Sequence, residues 1–531
     1  MPEQAALSTF SAERAFKDLA VIGRAPHPIN SAEHDVVRDY IMRALKGIGH
    51  TPQVQRTTYT DEDSETQGAL ENILCRIPGR TREKALLLVA HYDSVPAGPG
   101  ASDDGVAVVA LLEGARALKS FPQLRRDVII LLTDGEERGL LGARAFVKEH
   151  PWAQDVGVVL NFEARGTSGP SIMFETSNEN GWLIGNFGHA ASHPVANSLS
   201  YEIYKRLPNS TDFTIFRRAG YSGLNFAFID GLSNYHTSRD SLQNVDMGSL
   251  QHHGDYILEL TRQFGDAPSD DPKHANAVYF DVLGRELVRY SQPAAIFLLG
   301  FTGVLVGIMA YLGFKNRYLR TGVSLLGLVS MIPGVAATVV GAGAASWLTF
   351  ALQKQFPAIH MGLLYHGGLY ILTFSAVGLA CAACFYSFAL KWINSDNLMF
   401  GSLLGWLVFA IFVSIYFPGG SYLLVWPLFF NLLGWIAVFA RRQTSANARI
   451  ALVAFSGLPA IVLVVPMIHK IFFAFASHSA VLVSALLGLL FALMVGPIIS
   501  ENGSRRWLLP LLLAVMGAGF FIAAVSVSAV G

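Results

Sequence analysis

The side chains best suited to chemistry in this chain are imidazoles and carboxylates set in short polar segments. His91 opens HYD, with Asp93 two positions on. Asp103 lies in the glycine-flanked GASDDG, Glu136 and Glu137 adjoin in TDGEERG, Glu163 closes VVLNFE, and His236 sits in NYHTSRDS. Zinc and its neighbours take imidazole nitrogen and carboxylate oxygen. A catalytic pair of metals needs a shared carboxylate, terminal ligands for each ion and a base for the water between them. The set offers every part. His91 is a candidate ligand, with Asp93 able to fix its tautomer. Asp103, on its loop before a helix, could bridge two ions. Glu136 and Glu137 diverge, so one can hold metal while the other faces the water, and Glu163 and His236 complete the terminal ligands. Taken singly, each has an ordinary structural reading, and their joint placement carries the weight. His236 rests on its local sequence alone.

These residues need a scaffold that brings distant segments together. Five short apolar runs, ALLLVAH (85–91), DVIILLT (127–133), VGVVLNFE (156–163), SIMFET (171–176) and LNFAF (224–228), read as strands buried on both faces. Helical patterns alternate with them at 105–120, 140–150 and 181–193, after two amphipathic stretches at 11–22 and 31–48. In the second of these, Ser31 is placed to cap and Glu33 falls in the first turn. The order predicts an α/β, doubly wound, mostly parallel sheet with helices on both faces. Such sheets bind ligands beyond the carboxyl ends of their strands. His91, the segment 134–137 and Glu163 all fall there.

The chain has 531 residues and no formal net charge, but the average hides a division. After Ser291 only Asp396 and Glu501 are acidic. Apolar stretches recur near 294–314, 322–350, 362–390, 399–417, 421–440, 450–468, 477–499 and 507–529. Each is long enough for a hydrocarbon core of about 30 Å. The reading is therefore a soluble domain over 1–290 and an all-α transmembrane domain of about eight spans over 291–531, embedded in a lipid bilayer.

Lys315, Arg317 and Arg320 follow the first span, Arg441, Arg442 and Arg449 the fifth, and Arg505 and Arg506 the seventh; alternate loops hold only Lys354 and Lys470. The rich side is expected to be cytoplasmic, which puts the soluble domain outward, in a periplasm or lumen. An outward domain needs an export signal, and MPEQAALSTFSAERAF has no apolar core. The expectation is that a signal anchor precedes this sequence, with an inverted orientation as the alternative.

No basic stripe or aromatic-basic interleaving points to nucleic acid. Cys75 stands alone, and Cys381 and Cys384, despite CxxC spacing, read as small residues on a membrane helix, so no disulfide framework is implied. His366, His469 and His478 lie in or beside spans, where polar groups are functional candidates. No charged pair joins them, and interfacial placement or helix–helix hydrogen bonding is the favoured reading.

HYDSVPAGPGASDDGVAVVALLE, LLTDGEERGLLGARAF, NFEARG and YHTSRDS together resemble the motifs of the co-catalytic zinc aminopeptidases, family twenty-eight of the metallopeptidases, over roughly residues 11–265. With spans after the catalytic domain, the likeness is to the membrane branch that includes endoplasmic reticulum metallopeptidase, vacuolar membrane protease and bacterial relatives. The resemblance implies a peptide substrate and two zinc ions. Asp103 would bridge them, His91 and Glu163 would complete one ion and Glu137 and His236 the other. Glu136 would be the general base, Asp93 would orient His91, the Asp103–Asp104 peptide would be cis, and Tyr235 would stabilise the oxyanion. Ser210 and Asp212, in NSTDF, match the family's serine–aspartate motif near the substrate cleft. Soluble members often have Asp where Glu163 stands, whereas the membrane branch commonly has Glu. That branch also usually carries a span before the peptidase domain and more sequence after the last helix, so the chain is expected to be incomplete at its ends.

Three other readings compete. A glutaminyl-cyclase-like enzyme shares much of this signature with one zinc, a silent receptor-like ectodomain would keep the fold without turnover, and a transporter would need buried charges or broken helices. The sequence leaves open whether the spans anchor, pair as a homo-oligomer or deliver substrate.

Overall fold

The computed structural model describes residues 1–60, 67–268, 272–353, 367–441, 445–475, 480–498 and 506–530. It divides into two compact units, Met1–Ser291 and Gln292–Gly531.

The first unit is built on a seven-stranded sheet. Its strands are β1 (Gln53–Thr60), β2 (Gln67–Ile77), β3 (Ala85–His91), β4 (Val128–Thr133), β5 (Val156–Ala164), β6 (Ile172–Thr176) and β7 (Ser222–Phe228), in the order β1-β2-β4-β3-β5-β7-β6. The four central strands β4, β3, β5 and β7 are mutually parallel, as the long buried runs require. The flanks differ: β1, β2 and β6 join antiparallel, so the sheet is mixed.

Continuous apolar strands arise because both faces are covered. Leu86, Leu88, Ala90, Ile130, Leu132, Leu160, Phe162 and Phe226 pack beneath α1 (Ala12–Ile22), α2 (Ala32–Ile48), α3 (Ala107–Leu118), α5 (Gly181–Ala190) and α8 (Met247–Asp266). The intervening Leu87, Val89, Ile129, Leu131 and Val159 pack beneath α4 (Leu141–Glu149) and α7 (Asp212–Arg218). α3 is buried along almost its whole length, which explains its apolar sequence on every side. Ser31 caps α2 by accepting the His34 N–H at 3.1 Å. The short helix α6 (Ser198–Tyr204) and a separate hairpin of β8 (Ala277–Val282) and β9 (Glu286–Ser291) complete the unit.

The second unit contains α9 (Gln292–Lys315), α10 (Thr321–Gln353), α11 (Gly367–Ala389), α12 (Ser395–Tyr416), α13 (Tyr422–Ala440), α14 (Ala446–Phe475), α15 (Ala480–Ile498) and α16 (Leu508–Val530). Among the described residues seven of these are long and apolar enough to cross a membrane, and α15 supplies a shorter apolar stretch, Ala480–Met494. α10 packs against α11, α12 and α15. Small residues allow the approach: a Cβ on Gly401 of α12 would sit 2.1 Å from the Leu328 nitrogen of α10. Cys381 and Cys384 are free on α11 and His469 lies on α14, while His366 and His478 fall outside the described residues.

Candidate metal centre

The parallel strands deliver the polar residues to one end of the sheet. His91 is the last residue of β3, Glu163 lies one residue from the end of β5, and the turn after β4 carries Glu136 and Glu137. His236 arrives on the loop that follows β7, so it too lies beyond a strand end, which its local sequence did not reveal.

Asp103 sits at the centre. One of its oxygens, Oδ1, lies 3.2 Å from His91 Nε2, and the other, Oδ2, lies 3.2 Å from His236 Nε2. Glu163 Oε2 is 3.7 Å from His91 Nε2, and Glu137 Oε1 is 3.1 Å from His236 Nε2. Two triads result, His91–Asp103–Glu163 and Asp103–Glu137–His236, each with ligand atoms close enough to hold one ion. Asp103 belongs to both.

The surrounding backbone explains why these atoms converge. Asp103 and Asp104, joined by a cis peptide, lie in an irregular turn (Ala101–Val106) that opens α3. Asp240 clamps that turn: its Oδ1 accepts the Ser102 N–H at 2.7 Å and its Oδ2 the Asp103 N–H at 3.0 Å. Asp93 clamps the next, accepting the N–H groups of Glu136 at 3.0 Å and Glu137 at 3.3 Å. Its side chain also lies 3.5 Å from His91 Nδ1, but the nearer partner of that nitrogen is the Asp93 carbonyl at 3.0 Å. His236 has a left-handed backbone (φ 56°), rare outside glycine, and its ring stacks on Tyr235 at 3.8 Å. Asp212 opens α7 fully buried, with Thr133 of β4 donating to its carboxylate. Ser210 is exposed on the loop before it.

The electrostatics suit a cation. Burial pushes Glu163 up to about 8, aided by Asp103, and pushes Glu136 well above the usual carboxylate range, aided by Glu163. Burial alone would strip charge from the imidazoles, yet Asp103 and Asp93 raise His91, and Asp103 and Glu137 lift His236 to about 10. Glu137 Oε1 and His236 Nε2 are buried atoms without a well-formed hydrogen bond in the protein. A buried atom pair left so is costly unless a further group completes it. Oxygen and imidazole donors in excess negative charge fit a divalent metal such as zinc in each triad.

Asp240 lies in YHTSRDS with His236, and Asn161 lies in NFEARG with Glu163, but neither motif by itself assigns them a task; in the structure Asn161 Nδ2 donates to Glu163 Oε1 at 3.2 Å.

Residues 72–261 match the sequence profile of Peptidase family M28. The mouse endoplasmic reticulum metallopeptidase 1 is 33% identical over 255 residues, covering 46% of this chain and 28% of its own. The vacuolar membrane protease of Candida albicans (strain WO-1) is 33% identical over 276 residues, covering 51% and 32%. The chain thus matches less than a third of either relative's length. Among solved structures, an aminopeptidase from Aneurinibacillus sp. strain AM-1 aligns with 51% of this chain and 98% of its own at 12% identity and a TM-score of 0.43. Porphyromonas gingivalis glutaminyl cyclase aligns with 48% and 99% at 22% identity and a TM-score of 0.41. By its profile match and the motifs that converge on the two triads, this chain carries a domain of Peptidase family M28.

Proposed function

We propose that the chain is a membrane-anchored, zinc-dependent exopeptidase of the aminopeptidase type that hydrolyses peptide bonds with two zinc ions per catalytic domain. The observation that carries this reading is Asp103, whose two oxygens reach opposite histidines. His91, Asp103 and Glu163 would hold one ion, and Asp103, Glu137 and His236 the other. Bound zinc supplies Lewis acidity, which makes water a nucleophile near neutral pH and polarises a carbonyl. Glu136 takes the proton from that water and returns it to the leaving amine. Burial, with Glu163 beside it, raises its proton affinity above that of an ordinary carboxylate. Asp93 holds the Glu136–Glu137 turn and the His91 ring, Tyr235 donates to the developing oxyanion, and Ser210 and Asp212 serve the substrate side.

We assign the catalytic domain to the extracytoplasmic face, a periplasm or a lumen. Supporting this, Lys391 between α11 and α12 adds to the basic loops on the opposite side.

Elemental analysis of the purified full chain, with assays on free and N-terminally blocked peptides, tests the proposal. Two zinc ions per chain and a preference for free amino termini are expected. Glu136→Gln should keep both ions and lose about 10²- to 10⁴-fold in rate. Intact turnover in that variant would remove the base assignment. One ion with cyclase activity would favour the glutaminyl-cyclase-like alternative, and no turnover on any peptide a receptor-like domain.

A further inference from the structure

Behind Glu163 runs a row of fully buried polar side chains across three adjacent strands: Asn161 on β5, Asn225 on β7 and Glu175 on β6. They are register partners, Asn161 opposite Asn225 and Asn225 opposite Glu175, and an irregularity between Met173 and Glu175 brings Glu175 into the row. Asn161 Nδ2 donates to Glu163 Oε1 at 3.2 Å and to Asn225 Oδ1 at 3.0 Å. Asn225 Nδ2 donates to Glu175 Oε2 at 3.0 Å and to Thr211 Oγ1, at the start of α7, at 2.9 Å. Arg217 of α7 stands at the end of the row as an ion-pair partner, its Nε 3.0 Å from Glu175 Oε1 without a well-formed hydrogen bond between the two atoms.

We infer that Asn161, backed by Asn225, Glu175 and Arg217, is a positioning relay that commits Glu163 to the His91 triad through a single oxygen. The argument is one of donor and acceptor polarity. A carboxylate paired with Arg217 only accepts, so Asn225 must turn its NH₂ to Glu175 and its carbonyl to Asn161. Asn161 must then present its own NH₂, which reaches both Asn225 and Glu163. Oε1 of Glu163 is thereby occupied and Oε2, which faces His91, is left for a metal. Asn161 Oδ1 is left without a hydrogen-bond partner, a cost that the structure accepts to keep both donors directed this way. The relay gives the Glu163 carboxylate a fixed contact at Oε1, and it ties the metal centre to α7.

This inference rests on the two-metal reading above, and the experiment separates the two. Full-length protein in detergent is loaded with zinc and titrated with a competing chelator, with bound zinc read by elemental analysis and unfolding of the zinc-free form followed alongside. The wild-type chain should release two ions. Asn161→Ala should loosen one of them by about 10- to 100-fold, the usual effect of removing a partner that orients a ligand, and leave the other unchanged. Glu175→Gln preserves volume, removes the charge that fixes the amides, and should loosen the same ion severalfold with zinc-free stability near wild type. Unchanged zinc affinity in Glu175→Gln, or equal loosening of both ions together with lost stability, overturns the relay. Fewer than two ions in the wild-type chain defeats the two-metal reading and the relay with it.

Discussion

Asp240→Asn tests whether the metal centre is held together from outside its own ligands. Asp240 is buried, and its two oxygens each accept one backbone N–H, from Ser102 and from Asp103. Asparagine is nearly the same shape but can accept with one atom only and turns an NH₂ toward the other N–H. One hydrogen bond to a charged group, worth about 1.5–3 kcal/mol, is lost, and the second falls to the neutral value near 1 kcal/mol. The turn bearing Asp103 should therefore lose roughly 2–5 kcal/mol of positional stability. Expressed wholly in metal binding, at about 1.4 kcal/mol per tenfold, this is roughly 30- to 4,000-fold in affinity. Because Asp103 belongs to both triads, the two ions proposed above should weaken together, unlike the selective loosening expected from Asn161. Chelator competition on the full chain measures this directly. Zinc affinities equal to wild type for both ions would show that the turn keeps its shape without the clamp.

Further perturbations probe other parts of the molecule. Tyr235→Phe should lower kcat by about 10²- to 10³-fold with zinc content unchanged, the usual effect of deleting an oxyanion donor; wild-type kcat would remove Tyr235 from that role. His253 of α8 is fully buried against Phe162 and Phe228, and burial lowers its pKa to about 3, with the neighbouring His252 contributing. The unfolded chain binds a proton below about 6.5 that the folded state refuses, so stability is full above that pH and is lost as pH falls toward 3. At pH 5 the loss is about 2 kcal/mol, and zinc-free His253→Gln should show a correspondingly smaller decline between pH 7 and 5; an identical decline refutes it. Gly401→Ala should destabilise the detergent-solubilised protein by about 1–3 kcal/mol, because its Cβ meets the α10 backbone. Gly343→Ala, which meets nothing within 4 Å, is the control and should be close to neutral.

The central strands and the five ligand candidates were legible because each depends on a local pattern. A run such as ALLLVAH can be buried on both faces only in a covered sheet, and polar residues at several such strand ends, taken together, mark a site. β1 escaped notice because it is a half-exposed edge strand with a polar sequence, QVQRTTYT, and the β8–β9 hairpin because β9, ELVRYS, is largely solvent-facing. α8 was missed although its spacing is amphipathic, since its polar face, rich in histidine and glutamine, resembles a loop. Asp240 and Asn161 are a different case. Both share a short motif with a ligand candidate, but what fixes their orientation folds against them from afar, residues 138 positions away for Asp240 and 64 for the Asn161–Asn225 contact.

Along β5 the even positions Val158, Leu160 and Phe162 serve the packed layer under α3 and α8, while Asn161 and Glu163 serve the polar end of the opposite face. Val159, at the same parity as Asn161 and Glu163, still packs beneath α4 and α7, so the division holds only over the last residues of the strand, where a change at 160 or 162 loosens the core and a change at 161 or 163 alters the polar end.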